Sequence, residues 1–497
     1  MKLSELLAGH DHEILRGDPD TAITAGVVID AHRVSPGALF IAVPGHPEGG
    51  PEAVGPAIAR GAVAVLVEAA PPGETAVRTA ATTPVDTEAC VVRVRDARTA
   101  ASVVAARYHG EPGRAMDIVA VTGTNGKTSV SYMVESVLRL AEGAGVGVIG
   151  TAGSRIGDEL IPMPRTVLTT PEAPDFQYLL GHMRDRGVTT VVLEATSMGL
   201  LQHRVDHAHV DVGVFTNLTQ DHLDDHGTME NYRDAKLRLF QGLCERAVVN
   251  LDDPVGASIG ALMPGAVTTY ALDTEADYRA TDLDMDAYGT RFTLHHAGRK
   301  YPAAIPVPGR FSVANALATV AACHLLGHGL PGLIGALDRM PPVPGRFERF
   351  ETPAGVSVIV DYAHSPDSLE KVLTAIRDFA RGRVITVFGC GGDRDITKRA
   401  PMGEIAGTHS DLCVLTSDNP RNEDPGTIMD QIAPGLDATA TRYERLVDRR
   451  EAIAFALAEA GPDDLVLIAG RGSEPYQIVG ERLIAFSDMA TVRELSL

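Results

Sequence analysis

The sequence lacks three features that would assign it to a particular class of protein. Its five cysteines form no CxxC pair, so it has neither a zinc-binding nor a disulfide pattern. No apolar run approaches the ~20 residues that cross a bilayer, and the start MKLSELLAGHDHEIL does not resemble a signal peptide. Basic residues are scarce, with 44 Lys and Arg against 65 Asp and Glu and a net charge of −21. We therefore expect a soluble, cytoplasmic protein without nucleic-acid partners or membrane insertion.

The length of 497 residues is too great for one hydrophobic core and predicts several domains. Short apolar runs alternate with helical patterns along the whole chain, which is typical of α/β domains. Turn-forming residues at 109–113 and a proline-rich stretch at 340–346 indicate two boundaries. We predict domains at 1–108, 109–341 and 342–497. Residues 74–88 have low hydrophobicity and are predicted to form a surface loop.

The stretch 116–140 predicts a phosphate-binding turn between a strand and a helix. An apolar run, Ile118 to Val121, precedes the turn, and apolar residues at helical spacing follow it. Backbone N–H groups of such a turn bind phosphate oxygens, the lysine meets the β- and γ-phosphates, and the threonine hydroxyl ligates Mg²⁺. The spacing departs from GxxxxGK[ST], because Val121 replaces the first glycine, so an ordinary strand–helix turn stays an alternative. The candidate ATP-binding residues are Gly123, Thr124, Asn125, Gly126, Lys127, Thr128 and Ser129.

Polar residues follow two further predicted strands of the central domain. The run Thr189 to Leu193 ends in Glu194, and Val212 to Phe215 precedes a polar stretch that contains His222. Ligands gather at the carboxyl ends of parallel strands, and a carboxylate there suits Mg²⁺. The alternative interpretations are that Glu194 is a solvated carboxylate and that His222 is a structural histidine. Lys236 lies on a helix predicted from 229 to 243, and the composition around it is typical of a solvated lysine.

The third domain contains four predicted strands, Val356 to Val360, Val384 to Phe388, Leu412 to Thr416 and Leu465 to Ala469. Basic or glycine-rich sites lie nearby. Arginine suits two-point contacts with carboxylate or phosphate, although each arginine alone is more often a surface residue. The sites are Arg346, the loop Gly389 to Arg394, Lys398, Arg399, Arg421 and Arg471.

Ten short strings, in order from Thr122 to Gln477, resemble the Mur ligase family and, within it, the MurE type. They are TGTNGKT, LTTPE, QHRV, FTNLTQDHLDDHGTMENYRDAK, VPGRF, VPGRFE, VDYAHSP, FGCGGDRDITKRAPMG, SDNPRNEDP and AGRGSEPYQ. The resemblance implies an N-terminal UDP-recognising domain, a central P-loop-like ATPase domain with a mostly parallel sheet and a Rossmann-like C-terminal domain. It also implies an ADP-forming ligase that adds meso-diaminopimelate to UDP-N-acetylmuramoyl-L-alanyl-D-glutamate in peptidoglycan synthesis.

The resemblance assigns roles to residues that pattern alone does not. Lys127 and Thr128 would contact phosphate and Mg²⁺, and Glu194 and His222 would ligate Mg²⁺. Lys236 aligns with the family lysine that CO₂ carbamylates, which turns a cation into an anionic group that helps to hold Mg²⁺. The remaining residues that match family contacts to ATP are Asn315, Arg346 and Asp361.

Two further sets match substrate contacts of the family. The set for the muramoyl dipeptide is Thr169, Thr170, Thr196, Gln202 and Arg204. The set for the incoming amino acid is Arg394, Asp418, Asn419, Pro420, Arg421, Gly470 and Glu474. Arg421 would clamp the distal carboxylate of diaminopimelate, which lysine lacks.

Several strings depart from the family pattern at the substrate ends. They are Asp30-Ala31-His32-Arg33, the loop 45–51, Glu194-Ala195-Thr196-Ser197-Met198 and Gly470-Arg471-Gly472-Ser473-Glu474. Two alternatives therefore stay open. One is a MurE-like amide ligase of a specialised pathway that joins a different carboxylate to an amino acid. The other is an inert nucleotide-binding scaffold. The oligomeric state is not predicted.

Overall fold

A computed structural model describes residues 1–68, 88–163 and 168–497. The predicted surface loop lies outside these residues, apart from residue 88. The chain separates into two compact units. The first unit comprises 1–120, 145–211 and 241–245, and the second comprises 121–144, 212–240 and 246–497. The predicted domain boundaries at 108 and 341 stay predictions.

The N-terminal part of the first unit is the small α/β domain that the apolar runs predict. Its five-stranded sheet has the order His12–Arg16, Cys90–Val94, Ala64–Glu68, Leu39–Ala42, Val27–Val28. The first strand is antiparallel to its neighbour and the others pair in parallel. Apolar clusters cover both faces of the sheet. The helices and 3₁₀ turns are Leu3–Leu6, Ala31–Arg33, Pro51–Ala53, Val54–Ala59, Ala97–Tyr108 and Pro112–Ala115.

The rest of the first unit contains the strand that ends in Glu194. This strand, Thr190–Glu194, pairs in parallel with Val146–Gly150. Val146–Gly150 pairs in turn with Gly153–Ile156, and Gly153–Ile156 pairs with Glu159–Leu160, both in antiparallel orientation. The helices are Ala173–Asp185 and Ser197–Leu201. The strand Asp117–Thr122 begins in the first unit and ends in the second.

The second unit begins with the phosphate-turn helix, Lys127–Glu142. The strand Cys244–Asn250 begins in the first unit and ends in the second. It pairs in parallel with Val267–Ala271, which pairs in parallel with Tyr278–Asp286, and an antiparallel meander follows. The meander strands are Gly289–His296 and Arg299–Ile305, and Val210–Phe215 ends in this unit. The helices and one 3₁₀ turn are Leu223–His226, Met229–Leu237, Arg238–Phe240, Pro254–Leu262, Arg310–Leu325 and Leu330–Leu337.

The helix that carries Lys236 is shorter than the predicted 229–243. It ends at Leu237, and the chain continues through the 3₁₀ turn Arg238–Phe240. Gly242 then adopts φ +102°, a left-handed conformation that glycine accepts without steric cost and that no α-helix contains. The predicted end at residue 243 is therefore wrong, because the helix cannot continue through Gly242 in this conformation.

The C-terminal part of the second unit is a six-stranded sheet covered by apolar clusters on both faces. Its order is Glu348–Glu351, Ser357–Asp361, Leu465–Ala469, Val384–Phe388, Leu412–Leu415, Arg442–Arg445. All pairs are parallel except the first, so the carboxyl ends of the four predicted strands meet at one edge. The helices and one 3₁₀ turn are Pro366–Phe379, Ile396–Lys398, Arg399–His409, Pro425–Asp437, Arg449–Glu459 and Asp488–Leu495. A separate hairpin is formed by Tyr476–Val479 and Arg482–Ala485.

None of the helices in the described part of the chain has the length and apolar character that a membrane crossing requires.

Candidate functional site

The phosphate turn of the second unit requires both of its glycines. Gly123 has φ +148°, and a Cβ there would lie 1.8 Å from Thr216 Oγ1. Gly126 has φ +90°, and a Cβ there would lie 2.6 Å from Asn315 Oδ1. The backbone N–H of Asn125 donates to Asn217 Oδ1 at 3.0 Å, and that of Thr124 donates to the Asn217 carbonyl at 2.9 Å. The residues that follow the strand Val210–Phe215 therefore hold the backbone of the turn in place.

Lys127 and Thr128 begin the helix that follows the turn. The Lys127 Nζ donates to the carbonyl oxygens of Gly123 at 3.0 Å and Thr124 at 2.9 Å. Arg346 Nη2 donates to Thr128 Oγ1 at 3.0 Å, although the two residues are 218 positions apart. Three groups that suit phosphate and its counter-ion thus lie at one helix N-terminus.

A cavity of about 540 Å³ adjoins this turn, within the range of small-molecule pockets. It is lined by Asn125, Gly126, Ser129, Asn315, Arg346 and Asp361, which are candidate ATP residues, together with further side chains of the second unit. Burial raises the pKa of Asp361, whose carboxylate accepts the N–H groups of Phe347 at 2.7 Å and Ala363 at 2.8 Å. The Asp361 carboxylate therefore shapes the chain around the cavity.

Lys236 is a buried residue, contrary to the solvated lysine that its composition suggested. Its side chain is 2% exposed, its Nζ donates to the Gly123 carbonyl at 2.8 Å, and it lies 4.3 Å from the centre of the Tyr232 ring. Burial, and then the positive charge of Lys127, hold the pKa of Lys236 well below its usual range, against the opposing effect of Asp221. Burial of this kind favours the neutral form of the amine.

His222 belongs to a group of charged side chains around Asp221, which pattern analysis did not single out. The Asp221 carboxylate is buried and lies 3.7 Å from His222 Nε2, 3.6 Å from His364 Nε2 and 3.9 Å from Lys398 Nζ. Although burial opposes ionisation, these neighbours hold the pKa of Asp221 well below its usual range. Burial lowers the pKa of His222 to about 4, so its imidazole is neutral near pH 7. A neutral imidazole has the lone pair that a metal ligand needs.

Glu194 lies in the first unit, and its carboxylate is held by Thr151. The backbone N–H of Thr151 donates to Glu194 Oε1 at 2.9 Å and its hydroxyl donates to Oε2 at 3.0 Å. Gly150 leaves room for this carboxylate, because a Cβ there would lie 2.2 Å from Glu194 Oε1. No sequence pattern singled out Thr151, because it follows the strand Val146–Gly150 and not the strand that ends in Glu194.

The dipeptide candidates of the first unit form one hydrogen-bonded cluster. Thr170 Oγ1 donates to the Glu194 carbonyl at 2.7 Å and lies 2.9 Å from Thr196 Oγ1. Thr169 Oγ1 lies 3.3 Å from Thr151 Oγ1. The cluster therefore extends from Glu194 to the hydroxyls that the family resemblance indicates.

Arg204 and Gln202 complete this cluster. They contact Glu172 and Arg98, two residues to which the sequence analysis assigned no role. Arg204 is buried, donates to the Thr170 carbonyl at 2.9 Å and to Gln202 Oε1, and pairs with Glu172 at 2.8 Å. Arg98 also donates to Gln202 Oε1, at 3.3 Å, and lies 3.6 Å from Glu172. Arg98 belongs to the helix Ala97–Tyr108, so two separate stretches of sequence supply the cluster.

The amino-acid candidates lie at the carboxyl edge of the six-stranded sheet. Asn419 Nδ2 donates to Glu474 Oε2 at 2.9 Å, and a Cβ on Gly470 would lie 2.3 Å from Asp418 Oδ2. Burial raises the pKa of Glu474. These carboxylates form an acidic group that suits the ammonium of an amino acid.

The arginines of this group lie beside the loop that follows Phe388. Arg421 Nη1 donates to the Gly392 carbonyl at 2.8 Å, and the Pro420 carbonyl accepts the Glu423 N–H at 3.0 Å. Arg394 Nη1 lies 3.2 Å from Asp224 Oδ2, two residues after His222. Among the described residues, His222, Asp224 and Asp225 bring three possible metal-ligand atoms within 4.8 Å of one another.

Three family models match the chain. They are "Mur ligase family, catalytic domain" over residues 24–109, "Mur ligase middle domain" over 121–323 and "Mur ligase, glutamate ligase domain" over 345–472. The chain is 40% identical over 498 residues to the UDP-N-acetylmuramoyl-L-alanyl-D-glutamate–2,6-diaminopimelate ligase of Caldanaerobacter subterraneus subsp. tengcongensis, covering 100% of this chain and 99% of that protein. The enzyme of the same name from Syntrophomonas wolfei is 42% identical over 504 residues, with the same coverage.

A solved structure of a protein with that name is also similar. Its TM-score is 0.69 at 32% sequence identity, and the match covers 100% of this chain and 98% of that one. The structure of MurF ligase from Thermotoga maritima in complex with ADP has a TM-score of 0.64 at 18% identity, which shows likeness of fold alone. That match covers 95% of this chain and 97% of the MurF chain.

Proposed function

The chain belongs to the Mur ligase family, and we propose that it is the ATP-dependent ligase that adds meso-diaminopimelate to UDP-N-acetylmuramoyl-L-alanyl-D-glutamate. The two curated relatives carry that activity in their names and match over the full length of this chain. This similarity favours the peptidoglycan ligase over the specialised-pathway ligase. We also propose that it acts on small-molecule substrates in the cytoplasm.

One arrangement carries the proposal, the phosphate turn with Arg346 on Thr128 beside the cavity of about 540 Å³. A carboxylate is a poor electrophile, so amide synthesis requires that it first gain a leaving group. The acceptor carboxylate attacks the γ-phosphorus of ATP, which forms an acyl phosphate and releases ADP. The amine then attacks the acyl carbon, and the tetrahedral intermediate expels phosphate to leave the amide. The protein contributes position and charge neutralisation.

We assign the nucleotide roles as follows. Lys127 and Arg346 neutralise phosphate charge, and the backbone N–H groups of the turn bind phosphate oxygens. Asn315 and Asp361 lie on the cavity wall, where the base and the ribose of ATP would bind. This assignment is supported by their position around one cavity of the second unit.

The donor atoms present suit Mg²⁺, which prefers oxygen ligands. Within the second unit the candidate ligands are the Thr128 hydroxyl and the neutral His222 imidazole, and within the first unit the candidate is the Glu194 carboxylate. When bound, the ion would neutralise phosphate charge during transfer. Thr151 orients the Glu194 carboxylate for this role through two hydrogen bonds.

We further propose that Lys236 is carbamylated. A neutral amine adds to CO₂ through its nitrogen lone pair and loses a proton, which produces an anionic carbamate. The burial and lowered pKa of Lys236 support this step, because both favour the unprotonated amine. The carbamate would supply oxygen ligands to Mg²⁺ and place a negative charge next to Lys127.

For the substrates, we propose that Thr169, Thr170, Thr196, Gln202 and Arg204 bind the muramoyl dipeptide. Asp418, Asn419, Gly470 and Glu474 would bind the ammonium-bearing part of the amino acid. Arg394 and Arg421 would bind its carboxylates, and Pro420 shapes the turn before Arg421. Arginine binds a planar carboxylate at two points, which favours diaminopimelate over lysine.

The decisive experiment measures phosphate release with ATP, Mg²⁺ and UDP-N-acetylmuramoyl-L-alanyl-D-glutamate, with and without meso-diaminopimelate. We expect release that depends on both substrates and a tripeptide product of the corresponding mass. Release with another carboxylate or amine only would favour the specialised-pathway ligase. ATP binding without turnover on any substrate would favour the inert scaffold.

A further inference from the structure

The hairpin Tyr476–Val479 and Arg482–Ala485 is an exposed element that no assigned role includes. Every residue of its second strand is exposed, with Leu483 at 38% and Ile484 at 41%. A two-stranded hairpin is marginally stable alone in water, so its order depends on the contacts that it makes elsewhere. Those contacts are with the loop of Asp418, Asn419 and Arg421.

The first strand of the hairpin holds the start of this loop through side-chain amides. Gln477 Nε2 donates to the Asp418 carbonyl and lies 3.4 Å from Ser417 Oγ. In the opposite direction, the Ile478 N–H donates to Asn419 Oδ1 at 2.9 Å. Asn419 in turn donates to Glu474, so its side chain is oriented at both ends.

The hairpin backbone also holds Arg421 in an uncommon conformation. Arg421 has φ +50°, in the left-handed region that residues other than glycine and asparagine rarely adopt. Its N–H donates to the Ile478 carbonyl at 3.1 Å, and its carbonyl accepts the Gly480 N–H at 2.7 Å. These two bonds hold the backbone on both sides of Cα, and they therefore set the direction in which the Arg421 side chain leaves the loop.

The base of the hairpin is held by Arg471, a position where the sequence departs from the family pattern. Arg471 is 1% exposed, donates to the Tyr476 carbonyl and lies 5.3 Å from the centre of the Phe486 ring. The Phe486 N–H donates to the Pro475 carbonyl at 3.0 Å, which closes the hairpin. A buried arginine thus anchors the hairpin to the end of the strand Leu465–Ala469.

We propose that the hairpin is a specificity-determining element, in which Gln477 is a positioning residue for the amino-acid loop. Through Gln477, Ile478 and Gly480 it places Asn419 and Arg421 for an amino acid that carries a second carboxylate. The inference rests on the proposed function, since it concerns the amino-acid site of the ligase. The hairpin selects the substrate indirectly, through the side chains that it orients.

The test compares Gln477→Leu, which keeps the size of the side chain but loses the amide, with Arg482→Ala, a change at an exposed position of the same hairpin. For Gln477→Leu we expect the KM for meso-diaminopimelate to rise about tenfold, as loss of one partly buried hydrogen bond implies. The KM for ATP and kcat are expected to change by less than about twofold. Arg482→Ala should leave all three values unchanged. An unchanged KM for the amino acid in Gln477→Leu overturns the proposal.

A double-mutant cycle separates positioning from a general structural effect. If Gln477 acts through Arg421, Gln477→Leu should raise the KM for diaminopimelate little further in an Arg421→Ala background. Independent effects that multiply would contradict the proposal. Hydrogen exchange at residues 417–423 gives a readout that needs no turnover, and faster exchange is expected in Gln477→Leu. Wild-type enzyme that does not use diaminopimelate refutes the proposed substrate, whereas unchanged exchange refutes the role of the hairpin.

Discussion

Lys236 and Lys127 donate to the same acceptor, the backbone carbonyl oxygen of Gly123, at 2.8 Å and 3.0 Å. Two ammonium groups this close repel each other, and Lys236 is also removed from water. Burial and this repulsion both lower the pKa of Lys236, which favours the neutral form of the buried lysine. We therefore propose two roles for the lysines that share this carbonyl, with Lys127 as a cation for phosphate and Lys236 as an amine that CO₂ can carbamylate.

Replacement of Lys236 tests the second of these roles. Lys236→Ala should lose at least about 100-fold in kcat, because no carbamate can form. Short carboxylates such as formate or acetate should partly restore phosphate release, since they can occupy the vacated space as oxygen ligands. Lys300→Ala, a change at an exposed strand position, is the matched control and should behave as wild type. Full activity of Lys236→Ala without added carboxylate would remove Lys236 from the site.

Replacement of Lys127 tests its proposed role as the cation that contacts phosphate. Lys127→Ala should reduce kcat by about 10²- to 10³-fold, because phosphate transfer loses a preorganised positive charge. In this variant the pKa of Lys236 should rise, since one source of repulsion is gone. Steady-state phosphate release measures the first effect, and ¹³C NMR of enzyme under ¹³CO₂ measures carbamate as a function of pH. Substantial ligation by Lys127→Ala would contradict the assignment of the phosphate turn.

The Thr151–Glu194 contact predicts a change in the magnesium requirement. Thr151→Val removes the hydroxyl that donates to Glu194 Oε2 at 3.0 Å and keeps the branched shape of the side chain. The apparent activation constant for Mg²⁺ should rise about tenfold, as for other residues that orient metal ligands. Thr151→Ser retains the hydroxyl and should stay near wild type. An equal Mg²⁺ dependence in all three proteins would show that this hydroxyl has no part in orienting Glu194.

Asp464 predicts a pH dependence of stability. Its buried carboxylate accepts the N–H groups of Gly461 at 2.9 Å and Arg383 at 2.7 Å and pairs with the Arg383 guanidinium at 2.8 Å. Although burial opposes ionisation, these bonds hold the pKa of Asp464 below its ordinary value of 3.8. The contribution to the free energy of unfolding is therefore present above about pH 4, and it is lost as the pH falls through the lowered pKa.

Asp464→Asn should accordingly lower the free energy of unfolding by about 1 to 2 kcal/mol at pH 7, since Arg383 is half exposed. Urea unfolding followed by circular dichroism measures the difference, which should shrink below pH 4. Asp463→Asn is the control, because Asp463 is exposed and asparagine tolerates its left-handed backbone, φ +70°. A difference between wild type and Asp464→Asn that stays constant down to pH 2 would contradict the lowered pKa.

Local patterns predicted the strands that end near the site. The runs at Ile118 to Val121, Val384 to Phe388 and Leu465 to Ala469 form strands as expected, because buried parallel strands are short, continuous and apolar. The alternation of these runs with helices also determined the α/β class. The phosphate turn was predictable for a similar reason, since its glycines and Lys127 are adjacent in sequence.

Lys236 shows where pattern analysis fails. Nothing in the sequence around it indicates burial, because the helix Met229–Leu237 is mostly polar and its other charged residues are exposed or half-buried. Only the family resemblance singled out this lysine. Its burial depends on Tyr232 and on Gly123, which lies 113 positions away.

The sequence by itself thus determined the alternation of elements and the residues within single turns, since both depend on neighbours in the chain. The tertiary structure decided which distant groups meet, as with Arg346 and Thr128 or Gln477 and Asp418. The same holds for Thr151 and Glu194 within the first unit. Burial, pKa and side-chain direction result from these long-range contacts, because each depends on atoms that no local periodicity specifies.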